Sequence, residues 1–245
     1  MREIYNWSKL EHENVHKLLG VTMFQGRLGM VSIWMEHGTL QQYLNQHNDI
    51  SRHALVCEIA EGVAYLHGVN MIHGDLKASN ILMSPEGIPK LTDFDYSIIS
   101  DCSLVFSATT RMGGGTLRWM APELVIDEEP IERNKMTDIY ALGMTFLETI
   151  TGAFPYSECH RDAQIYGKLA RREHPKRSGE HFPANVRGNT TWELLVQCWD
   201  YDPPSRPIAS RVLVRKIQWQ YVPKYLLIPN IYRPASCTEH SWCYY

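Results

Sequence analysis

His73-Gly74-Asp75-Leu76-Lys77-Ala78-Ser79-Asn80, followed thirteen residues after Asn80 by Asp93-Phe94-Asp95, is the stretch that best indicates the fold. It combines a carboxylate, a lysine two residues on, an amide five residues on and a second carboxylate further along. Asn and Asp oxygens are hard ligands that suit Mg²⁺, which usually also keeps water and phosphate oxygens. Asp75 could orient an attacking hydroxyl, and Lys77 could neutralise charge on a phosphoryl group during its transfer.

The overall composition is that of an ordinary globular chain. Of its 245 residues, 44% are apolar and 21% are charged, and the net charge is −3. A near-neutral chain has no broad basic field for a phosphate backbone, so nucleic acid is not expected as a partner. The longest uncharged apolar run, Met30 to Met35, is far shorter than the ~20 residues that cross a bilayer, so no membrane contact is expected.

Cysteine spacing and the first residues predict where the protein works. The six cysteines form no Cys-x-x-Cys pair, so neither a zinc site nor a redox dithiol is indicated. Scattered cysteines of this kind are typical of small buried side chains in a reducing compartment. No apolar stretch follows the charged residues at positions 2 and 3, so no secretory signal is expected. These observations predict a cytoplasmic protein.

Hydrophobic spacing divides the chain into a small part that contains strands and a larger helical part. Leu55, Ile59, Val63 and Leu66 recur at helical spacing, and Ser51 precedes them in position to cap the helix. Short apolar pairs with Gly and Pro fill residues 68–120, as in a functional loop region. The spacing predicts strands over 15–24 and 28–35, helices over 1–10, 39–46, 51–67, 137–151, 160–172, 190–200 and 207–218, and an irregular tail over 220–245.

Five motifs, in order along the chain, resemble those of protein kinases. Residues 73–80 resemble the catalytic loop His-Arg-Asp-Leu-x-x-x-Asn, and Asp93-Phe94-Asp95 resembles Asp-Phe-Gly. The end of the activation segment resembles Gly115-Thr116-Leu117-Arg118-Trp119-Met120-Ala121-Pro122-Glu123. The start of the central helix resembles Asp138-Ile139-Tyr140-Ala141-Leu142-Gly143. The last helices of the large lobe resemble Cys198-Trp199 followed by Arg206-Pro207. The residues of these motifs are most similar to those of the tyrosine-kinase-like group of Ser/Thr kinases, in a fungal-looking form. The resemblance covers roughly residues 1–218.

The resemblance implies a role for each polar residue of the loop. Asp75 matches the base that accepts the proton of the substrate hydroxyl, and Asn80 and Asp93 match the Mg²⁺ ligands. Lys77 matches the loop lysine of Ser/Thr kinases, and Thr116 matches the threonine that steadies it.

The resemblance also implies a nucleotide site. Ser32 falls at the back of the adenine pocket, and Ile33 and Met35 lie in the segment 33–38 that matches the hinge, whose backbone would bind adenine. Leu82 is expected beneath the adenine ring, and Glu3 aligns with the helix glutamate that pairs with a strand lysine.

Two further pairs are implied to be structural. His73 is expected to brace the backbone against Phe94. Glu123 and Arg206 resemble the ion pair that ties the activation segment to the large lobe.

The sequence departs from the kinase pattern at three points. It contains no glycine-rich loop and no strand lysine ahead of Glu3. Gly74 stands where the family has an Arg that would hold a phosphate on the activation segment, and Asp95 stands where the family has a Gly. We therefore expect a truncated chain that by itself binds MgATP poorly.

These observations together predict an α+β fold of the bilobal kinase type. Residues 1–36 are expected to form a truncated small β lobe, 37–218 a mainly helical large lobe, and 219–245 an irregular tail. The expected function is transfer of the γ-phosphate of MgATP to Ser/Thr hydroxyls of a protein substrate in intracellular signalling, with ATP and Mg²⁺ required. The alternative is a pseudokinase that acts as a binding or scaffold module. The sequence predicts no oligomeric state.

Overall fold

A computed structural model of the chain describes residues 7–94, 98–99, 116–126 and 131–212. In chain order, the strands are β1 (Leu18–Phe24), β2 (Arg27–Ser32), β3 (Met71–Ile72), β4 (Ile81–Met83), β5 (Pro89–Leu91) and β6 (Ile98–Ile99). The helices are α1 (Leu40–Gln46), α2 (Arg52–Gly68), α3 (Lys135–Thr151), α4 (Asp162–Ala170) and α5 (Val186–Cys198). The predicted α+β class, with a small sheet-containing part and a mainly helical part, is confirmed.

The small part is an antiparallel hairpin of β1 and β2. The chain reverses at Gln25 and Gly26, both of which have positive φ, as a tight two-residue hairpin turn requires. Val21 pairs with Met30 and Met23 pairs with Leu28, so these four apolar side chains share one face of the ribbon. Each of them is about half exposed or more.

The helical part is built around α2, α3 and α5. Leu55, Ile59, Val63 and Leu66 of α2 are all buried, as their spacing predicts. The hydroxyl of Ser51 accepts from the Ala54 N–H at 3.3 Å, which confirms the predicted cap. Helix α3 is buried along most of its length and packs against both α2 and α5, which makes it the centre of the core.

Two pairs of short strands lie in the region predicted as loops. β4 pairs with β5, and β3 pairs with β6, in both cases antiparallel. Val15 bridges to Leu91 of β5, so the segment before β1 is tied to the large part. Strands of two or three residues carry no readable alternation, which is why sequence spacing missed them.

Helix boundaries differ from the predictions by a few residues because caps decide them. Helix α3 begins at Lys135 rather than 137, since Asn134 caps it with a capping box to Thr137. Helix α5 begins at Val186, since Asn185 accepts from the Gly188 N–H. The predicted helix 1–10 is helical at Trp7 but turns at Ser8; residues 1–6 and the tail beyond 212 lie outside the described residues. Along the described ranges, no helix has the length and apolar character that spanning a membrane would need.

Candidate active site

The catalytic-loop segment is anchored by a carboxylate from the helical core. Asp138, in the first turn of α3, is buried, and its Oδ2 accepts from the His73 N–H at 2.8 Å. Its Oδ1 accepts from the Gly74 N–H at 2.8 Å, and Nε2 of His67 lies 2.9 Å from Oδ2. Gly74 has φ +82°, a conformation that glycine adopts at little cost. The backbone just before Asp75 is therefore fixed to α3.

His73 connects this loop to the segment that carries Asp93. Its Nε2 lies 3.0 Å from the Thr92 carbonyl oxygen, and its Nδ1 accepts from the Asp75 N–H at 3.3 Å. Burial lowers the pKa of His73, although nearby carboxylates oppose the shift. The ring is therefore neutral, with its proton on Nε2, and packs 5.4 Å from the Phe94 ring. The structure thus places His73 against Phe94 as expected.

The two carboxylate oxygens of Asp75 differ in their hydrogen-bond partners. Oδ2 lies 2.7 Å from Nζ of Lys77 and accepts from Nδ2 of Asn80 at 2.8 Å. Oδ1 is buried and accepts no hydrogen bond within the described ranges. Nζ of Lys77 also donates to the Thr116 hydroxyl at 2.9 Å. Four sequence-predicted residues, Asp75, Lys77, Asn80 and Thr116, thus meet in one cluster.

Asp93 follows directly from this cluster. The Thr92 N–H donates to the Asn80 carbonyl oxygen at 3.1 Å, so the chain enters Asp93 beside the loop. Asp93 is exposed and has φ +64°, which is uncommon outside glycine and better tolerated by Asp than by most residues. Asp93 takes part in a further interaction, so it is not free.

The donor set fits Mg²⁺ in company with phosphate. Nδ2 of Asn80 donates to Asp75, and its Oδ1 accepts from the Ser79 hydroxyl at 3.4 Å. An amide oxygen has a second lone pair, which can still serve as a hard ligand. Within the described ranges no group of three or more His, Cys, Asp or Glu could hold a metal alone. Mg²⁺ is usually bound through one or two carboxylates plus substrate phosphates, so Asn80 and Asp93 suit it.

Glu148 links the loop to the segment after Thr116. It is buried in α3, and its Oε2 accepts from the Ala78 N–H and from the Trp119 indole N–H, both at 3.0 Å. Burial raises the pKa of Glu148 to about 7, although these two donors and Lys77 oppose the shift. One carboxyl group therefore holds two separate parts of the site.

Glu123 and Arg206 form the ion pair that the resemblance implied. Two guanidinium nitrogens of Arg206 donate to the two Glu123 oxygens at 2.6 and 2.8 Å. Arg206 is buried, also donates to the carbonyl oxygens of Asp200 and Met136, and lies over the Tyr140 ring at 5.2 Å. The segment that ends at Glu123 is thereby held to the helical core.

The expected adenine-contacting residues lie at the junction of the hairpin and α1. Ser32 ends β2 and is exposed, and Ile33 is 53% exposed. Met35 is buried, and Leu82 in β4 is partly buried and bridges to Thr39.

Ile33 and Met35 line an open cavity of about 370 Å³ together with Val15, Lys17 and Lys90. Leu82 is not among the lining residues of this cavity. Glu3 and Asp95 lie outside the described residues.

A second, small cavity of about 20 Å³ adjoins Asp75 and Gly74. Thr116, Met120 and the guanidinium-bearing Arg133 also line it. Arg133, from another segment, therefore lines the same cavity as Gly74, the position where the resemblance expects an Arg.

Sequence reasoning missed three residues of this site: Asp138 and Glu148 as loop anchors, and Arg118. Arg118 donates to the carbonyl oxygens of Pro155, Tyr156 and Cys159. Asp138 and Glu148 are the two acidic residues of α3, a helix that is largely buried, and a buried carboxylate needs hydrogen-bond donors. That mismatch is a usable signal, whereas nothing local in the sequence marks Arg118.

Comparison with known proteins agrees with this geometry. Residues 1–216 match the family described as protein tyrosine and serine/threonine kinase. The chain belongs to this family. Its relatives include the Arabidopsis thaliana serine/threonine-protein kinase STY17, 31% identical over 86% of this chain, and a probable serine/threonine-protein kinase of Dictyostelium discoideum, 33% identical over 85%.

The range of relatives refines the resemblance. A serine/threonine/tyrosine-protein kinase of Arabidopsis, HT1, is 28% identical over 86% of this chain, and a mitogen-activated protein kinase kinase kinase of the fungus Cytospora mali is 30% identical over 86%. These homologues are tyrosine-kinase-like Ser/Thr kinases of Arabidopsis thaliana, Dictyostelium discoideum and Cytospora mali, so the kinase group is supported and a specifically fungal form is not. The chain spans 36% and 40% of the length of the first two relatives.

Proposed function

We propose that this chain is the catalytic part of a protein kinase that transfers the γ-phosphate of MgATP to Ser or Thr hydroxyls of a protein substrate. The observation that carries the proposal is Asp75. Its Oδ2 is held by Lys77 and Asn80, while its buried Oδ1 has no donor within the described ranges. An acceptor oxygen fixed in this way suits an incoming hydroxyl.

The residues of the cluster would divide the work of the reaction. Asp75 Oδ1 would receive the substrate hydroxyl, orient it and take its proton. Lys77, fixed between Asp75 and Thr116, would offset charge on the phosphoryl oxygens. Asn80 and Asp93 would hold Mg²⁺, which neutralises phosphate charge when bound. The backbone of 33–38 and the side chain of Leu82 would contact adenine.

We further propose a cytoplasmic protein with protein substrates and without nucleic-acid or membrane partners. The near-neutral charge and the lack of a long apolar run in the sequence support this.

The alternative, a scaffold that binds partners without transferring phosphate, is favoured by two observations. The 245 residues contain no Gly-x-Gly-x-x-Gly and no Val-Ala-x-Lys, and the apolar face of β1 and β2 is about half exposed. Such a face is suited to binding another polypeptide.

One experiment separates the two functions. Strands that carry the glycine-rich loop and lysine of a related Ser/Thr kinase are fused ahead of Met1, and transfer of labelled phosphate to a Ser/Thr peptide array is measured. We expect transfer by the fusion, and a loss of about 10²–10⁴-fold in kcat with Asp75→Asn. Asp49→Asn, at an exposed position away from the cluster, is the matched control. A folded fusion that binds MgATP but transfers no phosphate would establish the scaffold instead.

A further inference from the structure

Arg118 makes an unusual set of contacts for a partly exposed arginine. One guanidinium nitrogen donates to the carbonyl oxygens of Pro155 and Tyr156 at 2.9 and 2.6 Å, and another donates to that of Cys159 at 2.7 Å. All three acceptors belong to the irregular connection between α3 and α4. The Arg118 guanidinium thus binds three carbonyl groups of that connection.

The connection depends on such a partner because it has little regular structure of its own. Helix α3 is followed by its cap residue Gly152, which has φ +74°, and Tyr156 has φ +52°. Carbonyl groups in irregular backbone find no partners in a helix or sheet and must be satisfied otherwise. The planar fork of arginine can reach several acceptors at once, which a lysine ammonium on a flexible stem does less well.

The segment 116–120, which contains Arg118, also contacts the candidate active site through Thr116 and Trp119. Thr116 accepts from Lys77, which in turn contacts Asp75. Trp119 donates to Glu148, and its ring meets the half-exposed Phe154 ring edge-on at 5.8 Å. Residues 116–120 therefore lie between the proposed base and the 153–159 connection, with Arg118 as the link to the latter.

We infer that Arg118 is a positioning residue that sets residues 116–120 and 153–159 as one rigid platform for the polypeptide substrate beside Asp75. The inference rests on the proposed function. Arg118 does not contact the reacting atoms; it acts through the placement of the Thr116 and Phe154 segments. Its loss is expected to weaken the handling of peptide while leaving the handling of MgATP unchanged.

Arg52 provides a matched control for the loss of an arginine that binds backbone carbonyls. One nitrogen of Arg52 donates to the carbonyl oxygens of Thr149 and Ile150 at 3.2 and 3.3 Å, near the end of the same helix α3. It has no contact with residues 116–120 among its described hydrogen bonds. Arg52→Met and Arg118→Met therefore differ in which carbonyls they release.

The experiment compares parent, Arg118→Met, Arg118→Lys and Arg52→Met. Binding of a fluorescent Ser/Thr peptide is measured by anisotropy on the full 245-residue chain, and steady-state kinetics are measured on the fusion described above. We expect Arg118→Met to lower kcat/KM for peptide about 10- to 100-fold, because small misplacements of a reactant have effects of that size. KM for MgATP should not change, Arg118→Lys should be intermediate, and Arg52→Met should match the parent.

The outcomes distinguish the two proposals. A parent that binds peptide but transfers no phosphate in the fusion overturns the proposed function, while the anisotropy series still decides the role of Arg118. Equal peptide affinity and kinetics in the Arg118 and Arg52 variants, or a parallel rise of KM for MgATP, would overturn the positioning role. A parent that neither binds nor phosphorylates any peptide overturns both.

Discussion

At the scale of single residues, Glu148 shows how one buried carboxyl group couples structure to pH. Its pKa is raised from 4.5 to about 7 by burial. Between these two values the unfolded chain releases the proton while the folded chain retains it. The folded state then binds more protons, so the free energy of unfolding falls as pH rises through this window, by about 3 kcal/mol in all.

Glu148→Gln should remove this fall. The amide oxygen can still accept from Ala78 or Trp119, and the side chain stays neutral at every pH. Urea unfolding of both proteins at pH 5, 6, 7 and 8 gives the difference in free energy. Histidines such as His73, whose pKa is lowered by burial, make stability rise with pH, but they are shared by both proteins and cancel. The same pH dependence in parent and variant would contradict the assignment.

The buried pair of Arg206 and Glu123 gives a second prediction at this scale. Arg206→Met leaves the Glu123 carboxylate largely buried without its partner, which we expect to lower the free energy of unfolding by about 3–5 kcal/mol. The double variant Glu123→Gln with Arg206→Met should lose less, since no unpaired charge remains. Chemical denaturation of the three proteins measures both values. A single variant as stable as the parent would show that the pair contributes nothing.

At the scale of helices, the contact between α3 and α5 depends on a missing side chain. A Cβ added at Gly143 would lie 2.7 Å from Cβ of Cys198 and 2.7 Å from Nε1 of Trp199. Both neighbours belong to fully buried residues, so neither has room to retreat. The two helices can approach this closely only with glycine at position 143.

Gly143→Ala should therefore destabilise the protein although alanine favours helix. The gain in helix propensity is about 1 kcal/mol, whereas overpacking of a core typically costs about 1–3 kcal/mol. Gly167→Ala in α4 is the matched control, because its added Cβ would meet only the end of the flexible Arg171 side chain at 3.2 Å. Thermal unfolding should show a lower Tm for the first variant and an unchanged or higher Tm for the second. A raised Tm for Gly143→Ala would mean that α3 and α5 can move apart enough to accommodate the added methyl group.

At the scale of the whole molecule, the nucleotide is expected to be held on one side only. The 245 residues contain no glycine-rich loop and no Val-Ala-x-Lys. Two lysines near the site are already engaged: Lys77 contacts Asp75 and Thr116, and Lys90 donates to the Glu13 carbonyl oxygen at 2.6 Å. Lys77 is assigned to the phosphoryl group in transfer and Lys90 is bound at Glu13, so neither would replace a strand lysine on the α- and β-phosphates.

We therefore expect residues 1–245 alone to bind MgATP with a dissociation constant in the millimolar range or weaker. Micromolar affinity corresponds to about −8 kcal/mol, and each charge-assisted hydrogen bond that is missing removes about 1.5–3 kcal/mol. Isothermal titration with MgATP measures the constant, with Asp93→Asn as a control for the part that depends on the metal. Low-micromolar binding would show that another part of this chain contacts the triphosphate.

The sequence by itself determined the order of the elements and three residues of the cluster around Asp75. Asp75, Lys77 and Asn80 meet through short-range loop geometry that local sequence encodes, whereas the metal-binding role of Asp93 stays a prediction. Amphipathic spacing located α2 because its core face repeats every three to four residues. Cap residues such as Asn134 shifted the boundaries by two residues, since a cap depends on side-chain hydrogen bonds rather than on periodicity.

Only the tertiary structure decided how that cluster is held. Asp138, Glu148 and Arg118 act on backbone groups 64, 70 and 37 to 41 residues away in the chain, and no local pattern encodes such distant partners. The same holds for the cavity that Ile33 and Met35 line together with Val15 and Lys90. Hydrogen bonds and packing of this kind require the chain to be folded, because they exist only once α3 has brought the remote segments together.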